Sequence, residues 1–139
     1  MIVVDTNVVS ELMRIGPAPA VLDWVLRQDQ NDLFTTAVTL AEIHYGLERL
    51  PAGRRRSELL GKAEELFGAF ETQVLAFDSR AASEYGKIVH AREMLGNPID
   101  GFDAQIASIC RAHQATLATR NIKDFASTGV ELIDPWLGD

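Results

Sequence analysis

Short apolar segments of this sequence alternate with longer segments whose apolar residues recur at helical spacing. The short segments are predicted strands, at residues 2–4, 33–36, 74–77, 116–119 and 131–133. Helices are predicted between them, near residues 8–13, 20–27, 40–50, 54–70, 81–95 and 100–110. Strands regularly separated by helices are typical of a mostly parallel sheet covered on both faces. We therefore expect an α/β fold with a five-stranded, mostly parallel sheet flanked by helices.

The size and composition of the chain fit one compact domain over residues 1–139. The sequence has 139 residues and is 47% apolar, which suits a single hydrophobic core. No segment reaches the roughly 18 uncharged apolar residues of a membrane span, and no basic leader precedes Ile2. We expect a cytoplasmic protein with no membrane contact. The single cysteine, Cys110, excludes a disulfide framework and a Cys-based zinc site within one chain.

The net charge of the chain is −7 at pH 7, which argues against a general basic surface for nucleic acid. The one concentrated basic run is Arg54, Arg55 and Arg56. A solvated start of a helix is the preferred interpretation, with contact to an RNA backbone as the alternative. Any nucleic-acid partner must therefore be attracted locally.

Three acids fall where ligands gather in parallel α/β sheets, just after a strand or early in the following helix. They are Asp5, Glu42 and Asp103. Each has a structural interpretation when taken alone. Asp5 fits a turn or N-cap, Glu42 fits a capping box closed by Thr39, and Asp103 suits the positive end of a helix capped by Asp100.

The combination of these acids favours a metal site. Two of the three acids have apolar neighbours that we expect to be partly buried, namely Ala41, Ile43, Ala104 and Ile106. Converging buried carboxylates repel one another and are retained when a cation compensates them, and oxygen ligands suit Mg²⁺ or Mn²⁺ better than zinc. Such a cation activates water and neutralises charge on a phosphoryl group. The acids therefore indicate hydrolysis of phosphodiester bonds.

Four segments and the C-terminal motif carry a family resemblance. The segments cover residues 1–12, 39–43, 98–107 and 117–121, and the motif is Asp134-Pro135-Trp136. In this order and spacing they resemble a PIN-domain ribonuclease of the VapC toxin type, with most similarity to the FitB-like branch. The resemblance covers nearly the whole chain.

The resemblance implies a single PIN domain with a twisted, five-stranded parallel sheet, and a homodimer. It also implies Mg²⁺- or Mn²⁺-dependent endonucleolytic cleavage of RNA, with tRNA among the candidate substrates. A toxin of this kind has a small antitoxin partner, of the VapB or FitA kind, with a DNA-binding half. The antitoxin covers the toxin and represses their shared promoter, so a larger assembly forms on DNA.

The acids of this chain match the family pattern by position, except at the fourth place. Asp5, Glu42 and Asp103 correspond to the family's first three acids, and the resemblance gives them catalytic and metal-binding roles. The fourth acid is replaced here by Asn121, while Asp124 stands one helical turn further on. Whether Asn121 or Asp124 fills this place stays open, and Asp124 is a further candidate metal ligand.

Polar residues beside the acids correspond to supporting positions of the family. Thr6, Asn7, Thr119 and Asn121 are expected to orient carboxylates and water through hydrogen bonds. For Thr6 and Asn7, formation of a turn is an equal alternative. Arg120, next to the fourth-strand motif, is a candidate contact for RNA phosphate.

The histidines and tryptophans receive structural interpretations. His44, His90 and His113 show no paired metal-ligand spacing, so they are not assigned to the site. Trp24 and Trp136 are interpreted as core or dimer anchors, with stacking on bases as the alternative.

Two other function classes fit parts of the sequence. A catalytically silent PIN-like scaffold that only binds a partner is compatible with Asn121. A receiver-like signalling domain also places acids at strand ends, and Phe77-Asp78-Ser79 is a loose match to its phosphorylation site. A dehalogenase-like phosphatase fits less well, because no second Asp follows Asp5 at the required place.

Overall fold

The computed structural model of the chain describes residues 1–138. Within this range a sheet is flanked by α-helices, which are α1 (Thr6–Met13), α2 (Pro19–Arg27), α3 (Ala37–Glu48), α4 (Arg54–Phe70), α5 (Ser79–Met94) and α6 (Gly101–His113). The strands are β1 (Ile2–Val4), β2 (Leu33–Thr36), β3 (Val74–Leu75), β4 (Thr116–Ala118) and β5 (Leu132–Ile133). Short 3₁₀ helices cover Gln30–Asp32, Ile122–Phe125 and Pro135–Leu137.

The sheet has the strand order β3-β2-β1-β4-β5, and every neighbouring pair is parallel. The first strand therefore lies at the centre, with Val3 paired to Phe34 of β2 and Leu117 of β4. The predicted α/β fold is confirmed, and the sheet is parallel throughout. Because all five strands run the same way, their carboxyl ends form one edge.

Alternate residues of the central strands enter two different apolar clusters. Val3 and Leu117 belong to the cluster that α5 and α6 cover, whereas Val4 and Ala118 belong to the cluster under α1 to α4. Both faces of the sheet are thus buried, which explains why the strands read as short, continuous apolar runs. Trp24 lies in the second cluster and is core, as expected.

Local capping explains where the helices begin. The Asp78 carboxylate accepts the N–H of Ala81, so α5 begins at Ser79, two residues earlier than predicted. Asp100 caps α6 by accepting the N–H of Phe102, so that helix begins at Gly101. β3 is shorter than predicted and ends at Leu75.

Within residues 1–138, no helix is long and apolar enough to cross a membrane. Cys110 is buried on α6 and unbridged, in agreement with a core role.

Candidate active site

The carboxylate of Asp5 lies at the carboxyl edge of the sheet between the two central strands. β1 and β4 end side by side, because Val4 pairs with Ala118. The next residues continue the contact: the Asp5 N–H donates to the Ala118 carbonyl at 2.9 Å, and the Thr119 hydroxyl donates to Asp5 Oδ2 at 2.8 Å. Asp5 occupies the N-cap position of α1, but its side chain makes no capping hydrogen bond. Its carboxylate is directed at β4 instead.

The hydroxyl of Thr119 is held in one orientation. Asn7 Nδ2 donates to Thr119 Oγ1 at 3.2 Å, and the N–H of Asn121 donates to the same oxygen at 3.0 Å. With two donors directed at it, the hydroxyl has its single proton left for Asp5. Asn7 also accepts the N–H of Arg120 at 3.4 Å. The structure therefore joins four of the predicted supporting and contact residues around Asp5.

Glu42 reaches the same place from α3. The Thr6 hydroxyl donates to Glu42 Oε1 at 2.8 Å, and the Thr6 and Thr39 hydroxyl oxygens lie 3.2 Å apart. The cap of this helix is Thr36, whose hydroxyl accepts the N–H of Thr39 at 3.1 Å. The capping box between Thr39 and Glu42 is therefore not formed, since the helix has already begun at Ala37. The Glu42 carboxylate is free to face α1.

Asp103 stands in the first turn of α6 and is half-buried. Among residues 1–138, no donor or cation contacts its carboxylate. Burial, followed by the charges of Asp5, Asp100, Asp124 and Glu42, raises the pKa of Asp103 to about 7. The carboxylate is thus surrounded by like charge with no compensating group.

Asp5 is also buried near other acids. Only 3% of it is exposed, and this burial raises its pKa. Hydrogen bonds from the Thr119 hydroxyl and the Thr6 backbone oppose the shift, while the charges of Glu42 and Asp124 add to it. Burial outweighs the hydrogen bonds. Of the predicted apolar neighbours of the acids, Ile43, Ala104 and Ile106 are buried, whereas Ala41 is exposed.

Two adjoining cavities open at this edge and share Asp103. One, of about 510 Å³, is lined by Asp5, Glu42, Asp103, Asn121, Arg120 and Trp136, among others. The other, of about 690 Å³, holds Asp100, Lys123 and Asp124. Asn121 and Asp124, the two candidates for the family's fourth acid position, therefore line different cavities. Asn121 lines the cavity of the three acids, and Asp124 lines the neighbouring one.

Arg92 forms hydrogen bonds with both segments that flank these cavities, the one before α6 and the one around residues 122–126. It is 3% exposed, and its guanidinium donates to the carbonyls of Asn97 at 2.7 Å, Asp124 at 2.9 Å and Ala126 at 2.9 Å. These bonds hold the segment before α6 against the 122–125 turn. Sequence reasoning missed this residue, although it continues the buried stripe of α5 four residues after Ile88.

Glu11 is a second acid that sequence reasoning did not single out. It is buried on α1, and its carboxylate accepts the N–H of Ala18 at 2.9 Å and a guanidinium N–H of Arg14 at 3.2 Å. The hydrogen bond from Ala18 is the largest cause of a lowered pKa at Glu11. This acid therefore stabilises the turn that precedes α2.

The arginines occupy two kinds of environment. Arg54 pairs with Glu58, and Arg56 pairs with Glu48, so these members of the basic run are engaged at the start of α4. This agrees with a solvated helix start. Arg120 instead lines the acidic cavity, with its Cζ atom 5.0 Å from the ring centroid of Trp136.

The donors of the site are all oxygen atoms. Within residues 1–138, no three His, Cys, Asp or Glu side chains are arranged closely enough to enclose a metal ion on their own. Magnesium retains several water ligands and uses only one or two carboxylates in proteins. An open, oxygen-only site with uncompensated negative charge fits such a cation and does not fit zinc.

The receiver-like alternative does not agree with the topology. Asp78 follows β3, which is an edge strand of the sheet, and its carboxylate is used to cap α5 through Ala81. It therefore does not join the central acids.

The fold and the site are those of a known protein family. The PIN domain model matches residues 2–131, and the chain belongs to the PIN domain family. It is 38% identical to the VapC ribonuclease Y4jK of Sinorhizobium fredii, over 98% of each chain. It is 31% identical to Toxin FitB of Neisseria gonorrhoeae, over 98% of this chain and 99% of that protein.

A solved structure of FitAB bound to an IR36 DNA fragment has the same fold. It superposes with a TM-score of 0.91 at 31% identity and covers 98% of this chain and 96% of that chain. The predicted family and fold are confirmed.

Proposed function

We propose that this PIN-domain protein is an endoribonuclease that cleaves RNA phosphodiester bonds with a divalent cation, and that it is the toxin of a type II toxin–antitoxin pair. The observation that carries the proposal is the convergence of Asp5, Glu42 and Asp103 on one cavity, where none of the three acids forms an ion pair within residues 1–138. The similarity to a VapC ribonuclease and to Toxin FitB supports it.

The cation is Mg²⁺ or Mn²⁺ in this proposal. Asp5, Glu42 and Asp103 would hold it, and Asp124 would add negative charge from the neighbouring cavity. When bound, such a cation lowers the pKa of water and neutralises charge that develops on the phosphoryl oxygens. The raised pKa of Asp103 supports a cationic occupant, because a nearby positive charge relieves the repulsion among the acids.

Hydrogen bonds orient the carboxylates for this task. Thr119 fixes one oxygen of Asp5, and Thr6 fixes one oxygen of Glu42. Fixed carboxylates lose little freedom when a cation is bound, so the site is preorganised. Asn121, which faces the same cavity, is proposed to orient the attacking water, and Arg120 is proposed to contact an RNA phosphate.

The acidic character of the chain is compatible with an RNA substrate. A bound divalent cation offsets part of the net charge of −7 where the substrate binds. The remaining acids need not face the RNA, because association depends on the local potential of the cleft. We propose tRNA as the first substrate to test.

The proposed partner is a small antitoxin of the VapB or FitA kind. The likeness to FitAB, solved on a DNA fragment, supports a complex with such a protein on DNA. We also propose a homodimer, located in the cytoplasm. Co-expression with the product of the adjacent gene is expected to abolish growth inhibition. A protein that is harmless when strongly expressed alone would favour the silent scaffold.

Cleavage of a tRNA pool by the purified protein tests the enzymatic proposal. Activity is expected to disappear in excess chelator and to return with Mg²⁺ or Mn²⁺, whereas Ca²⁺ restores it poorly because it is a weaker activator of water. Mapping the ends of the products identifies the cleaved bond. Full activity in excess chelator would exclude the metal mechanism.

A further inference from the structure

A guanidinium and an indole ring meet at the rim of the acidic cavity. The 5.0 Å between Arg120 Cζ and the centroid of the Trp136 ring is within the range in which an aromatic face attracts a cation. Both residues line the cavity that holds Asp5, Glu42 and Asp103. A positive group is therefore placed beside the acids by an aromatic neighbour.

The aromatic partner is itself held in place. Trp136 is half-buried against the apolar cluster under α1 to α4, and its backbone N–H donates to Asp134 Oδ1 at 2.9 Å. Arg27 of α2 donates to the Gly138 carbonyl at 2.9 Å, which fastens the same segment. The ring is therefore a fixed support, while Arg120 itself is exposed.

The guanidinium of Arg120 keeps its donors for a ligand. Among residues 1–138 it makes no ion pair and no side-chain hydrogen bond. The other cation that lines this cavity, Arg14, is paired with Glu11 at 3.2 Å. Contact with an aromatic ring uses none of the N–H donors, and their fork matches two oxygens of a phosphate.

We propose that Trp136 positions Arg120 to bind a phosphate of the RNA beside the acidic centre, so that the segment 134–138 is part of the RNA site. This inference rests on the proposed function. Trp136 is a positioning residue in this arrangement, because it acts on the phosphate through Arg120. Arg120 supplies the one unpaired positive charge that lines the cavity within the described residues.

Binding of a short, fluorescein-labelled single-stranded RNA of mixed sequence separates the two roles. Anisotropy is measured with Ca²⁺ present, because this cation can occupy the acids but supports cleavage poorly, over a series of salt concentrations. Arg120→Gln is expected to weaken binding about ten- to a hundredfold. It should also reduce the slope of log Kd against log salt by about 0.7, the value for one phosphate contact on a single strand.

Substitution of the ring leaves the charge in place. Trp136→Leu is therefore expected to weaken binding about three- to tenfold with an unchanged salt slope. Trp136→Tyr retains an aromatic face and should restore most of the affinity. Thermal melting of each variant establishes that the compared proteins are folded.

The chain offers a matched control at the C-terminal end of α3. Arg49 lies over the ring of Tyr45 at 5.6 Å, and neither residue lines the two acidic cavities. Arg49→Gln is expected to leave both affinity and salt slope unchanged.

Wild-type affinity and slope in Arg120→Gln would overturn the inference, as would wild-type affinity in folded Trp136→Leu. Loss of antitoxin binding by Arg120→Gln with unchanged RNA binding would also overturn it, since the ligand would then be a protein group. Failure of the wild-type protein to bind any RNA would instead count against the proposed function itself.

Discussion

Two buried carboxylates at opposite ends of α1 have opposite electrostatic environments. Glu11 receives a backbone N–H and a guanidinium, and its pKa is lowered. Asp5 receives the hydroxyl of Thr119, but its burial and, to a smaller extent, the charges of Glu42 and Asp124 raise its pKa. Burial raises the pKa of both acids. At Glu11 the hydrogen bond from the Ala18 N–H outweighs burial, whereas at Asp5 burial outweighs the hydrogen bonds.

The difference lies in how the protein compensates each charge. A buried charge with sufficient donors and a cationic partner is part of the scaffold, because its desolvation is offset within the protein. A buried charge among like charges is relieved by protonation or by an external cation. The Glu11 end of α1 is therefore a structural support, and the Asp5 end, with Glu42 and Asp103, is the proposed site.

The largest expected effect is a loss of RNA cleavage when Asp5 is substituted, but not when Glu11 at the other end of α1 is substituted. Asp5→Asn is expected to lower the initial rate on labelled RNA about a thousandfold, the scale for removal of an essential electrostatic group. Glu42→Gln and Asp103→Asn should behave alike, and all three variants should remain folded and bind the antitoxin. Glu11→Gln should change the rate of the folded enzyme far less. Wild-type cleavage by Asp5→Asn would place the active site elsewhere.

A smaller effect is expected where charge is removed from, or added to, the periphery of the acidic site. Asp124→Asn should weaken Mn²⁺ binding and slow cleavage about ten- to a hundredfold, the cost of losing an outer partner of a metal site. Asn121→Asp should tighten Mn²⁺ binding, because it adds a carboxylate to the cavity of the three acids. Titration of Mn²⁺ against cleavage rate measures both. An unchanged titration in Asp124→Asn would remove this residue from the site.

Removal of the Glu11 carboxylate, which accepts hydrogen bonds from Ala18 and Arg14, is expected to lower the stability of the folded protein. Glu11→Ala leaves the N–H of Ala18 without its partner, which costs about 2 kcal/mol and lowers Tm by roughly 7 °C. Glu11→Gln keeps an acceptor oxygen and should lose less. Thermal unfolding of both variants at pH 7 measures the difference. Equal stability of Glu11→Ala and the wild type would contradict the structural role.

Removal of the Asp103 charge, in contrast, should raise the stability of the folded protein when metal is absent. The pKa of Asp103 is about 7 in the folded protein, against about 3.9 for an unfolded Asp. The wild type therefore loses stability as the pH rises from about 4 to about 7, and Asp103→Asn avoids this loss. After allowance for solvent screening of this half-exposed group, the variant should gain about 1 kcal/mol at pH 8.

Unfolding in chelator at pH 4 and pH 8 tests this sign. The gain of Asp103→Asn should be largely absent at pH 4, where the carboxyl group is protonated in the folded state and about half protonated in the unfolded state. Saturating Mg²⁺ should remove the gain at pH 8. Asp23→Asn, at an exposed position on α2, is the control and should show no such gain. A destabilised Asp103→Asn at pH 8 in chelator would contradict the proposed repulsion.

The parts of the fold that depend on local pattern were predictable from the sequence. The run Ile2–Val4 followed by Asp5 gave β1 and the position of the first acid, and the apolar spacing of 54–70 gave both ends of α4. The convergence of Asp5, Glu42 and Asp103 was also predicted. It follows from the parallel sheet, in which all strand carboxyl ends share one edge.

The hydrogen-bond partners within the site were not predictable, because several residues compete for each role. Two threonines, Thr36 and Thr39, were both suitable caps for α3, and only the structure shows which of them the backbone selects. The expectation that Asp124 lies one helical turn after Asn121 also depended on local geometry. Asn121 has φ −88° and ψ 58°, which is not helical, so its side chain leaves in another direction.

The hydrogen bond between Thr119 and Asp5 joins residues that are 114 positions apart. During synthesis, β1 leaves the ribosome long before β4, and the central strand has no β4 neighbour until residues 116–118 follow. Such distant pairing is slow to form, because a long loop must close before the contact stabilises it. A nascent chain that ends before residue 119 contains Asp5 and Glu42 but lacks the hydroxyl that orients the first acid. The arrangement of strands therefore delays assembly of the complete site until most of the chain has been made.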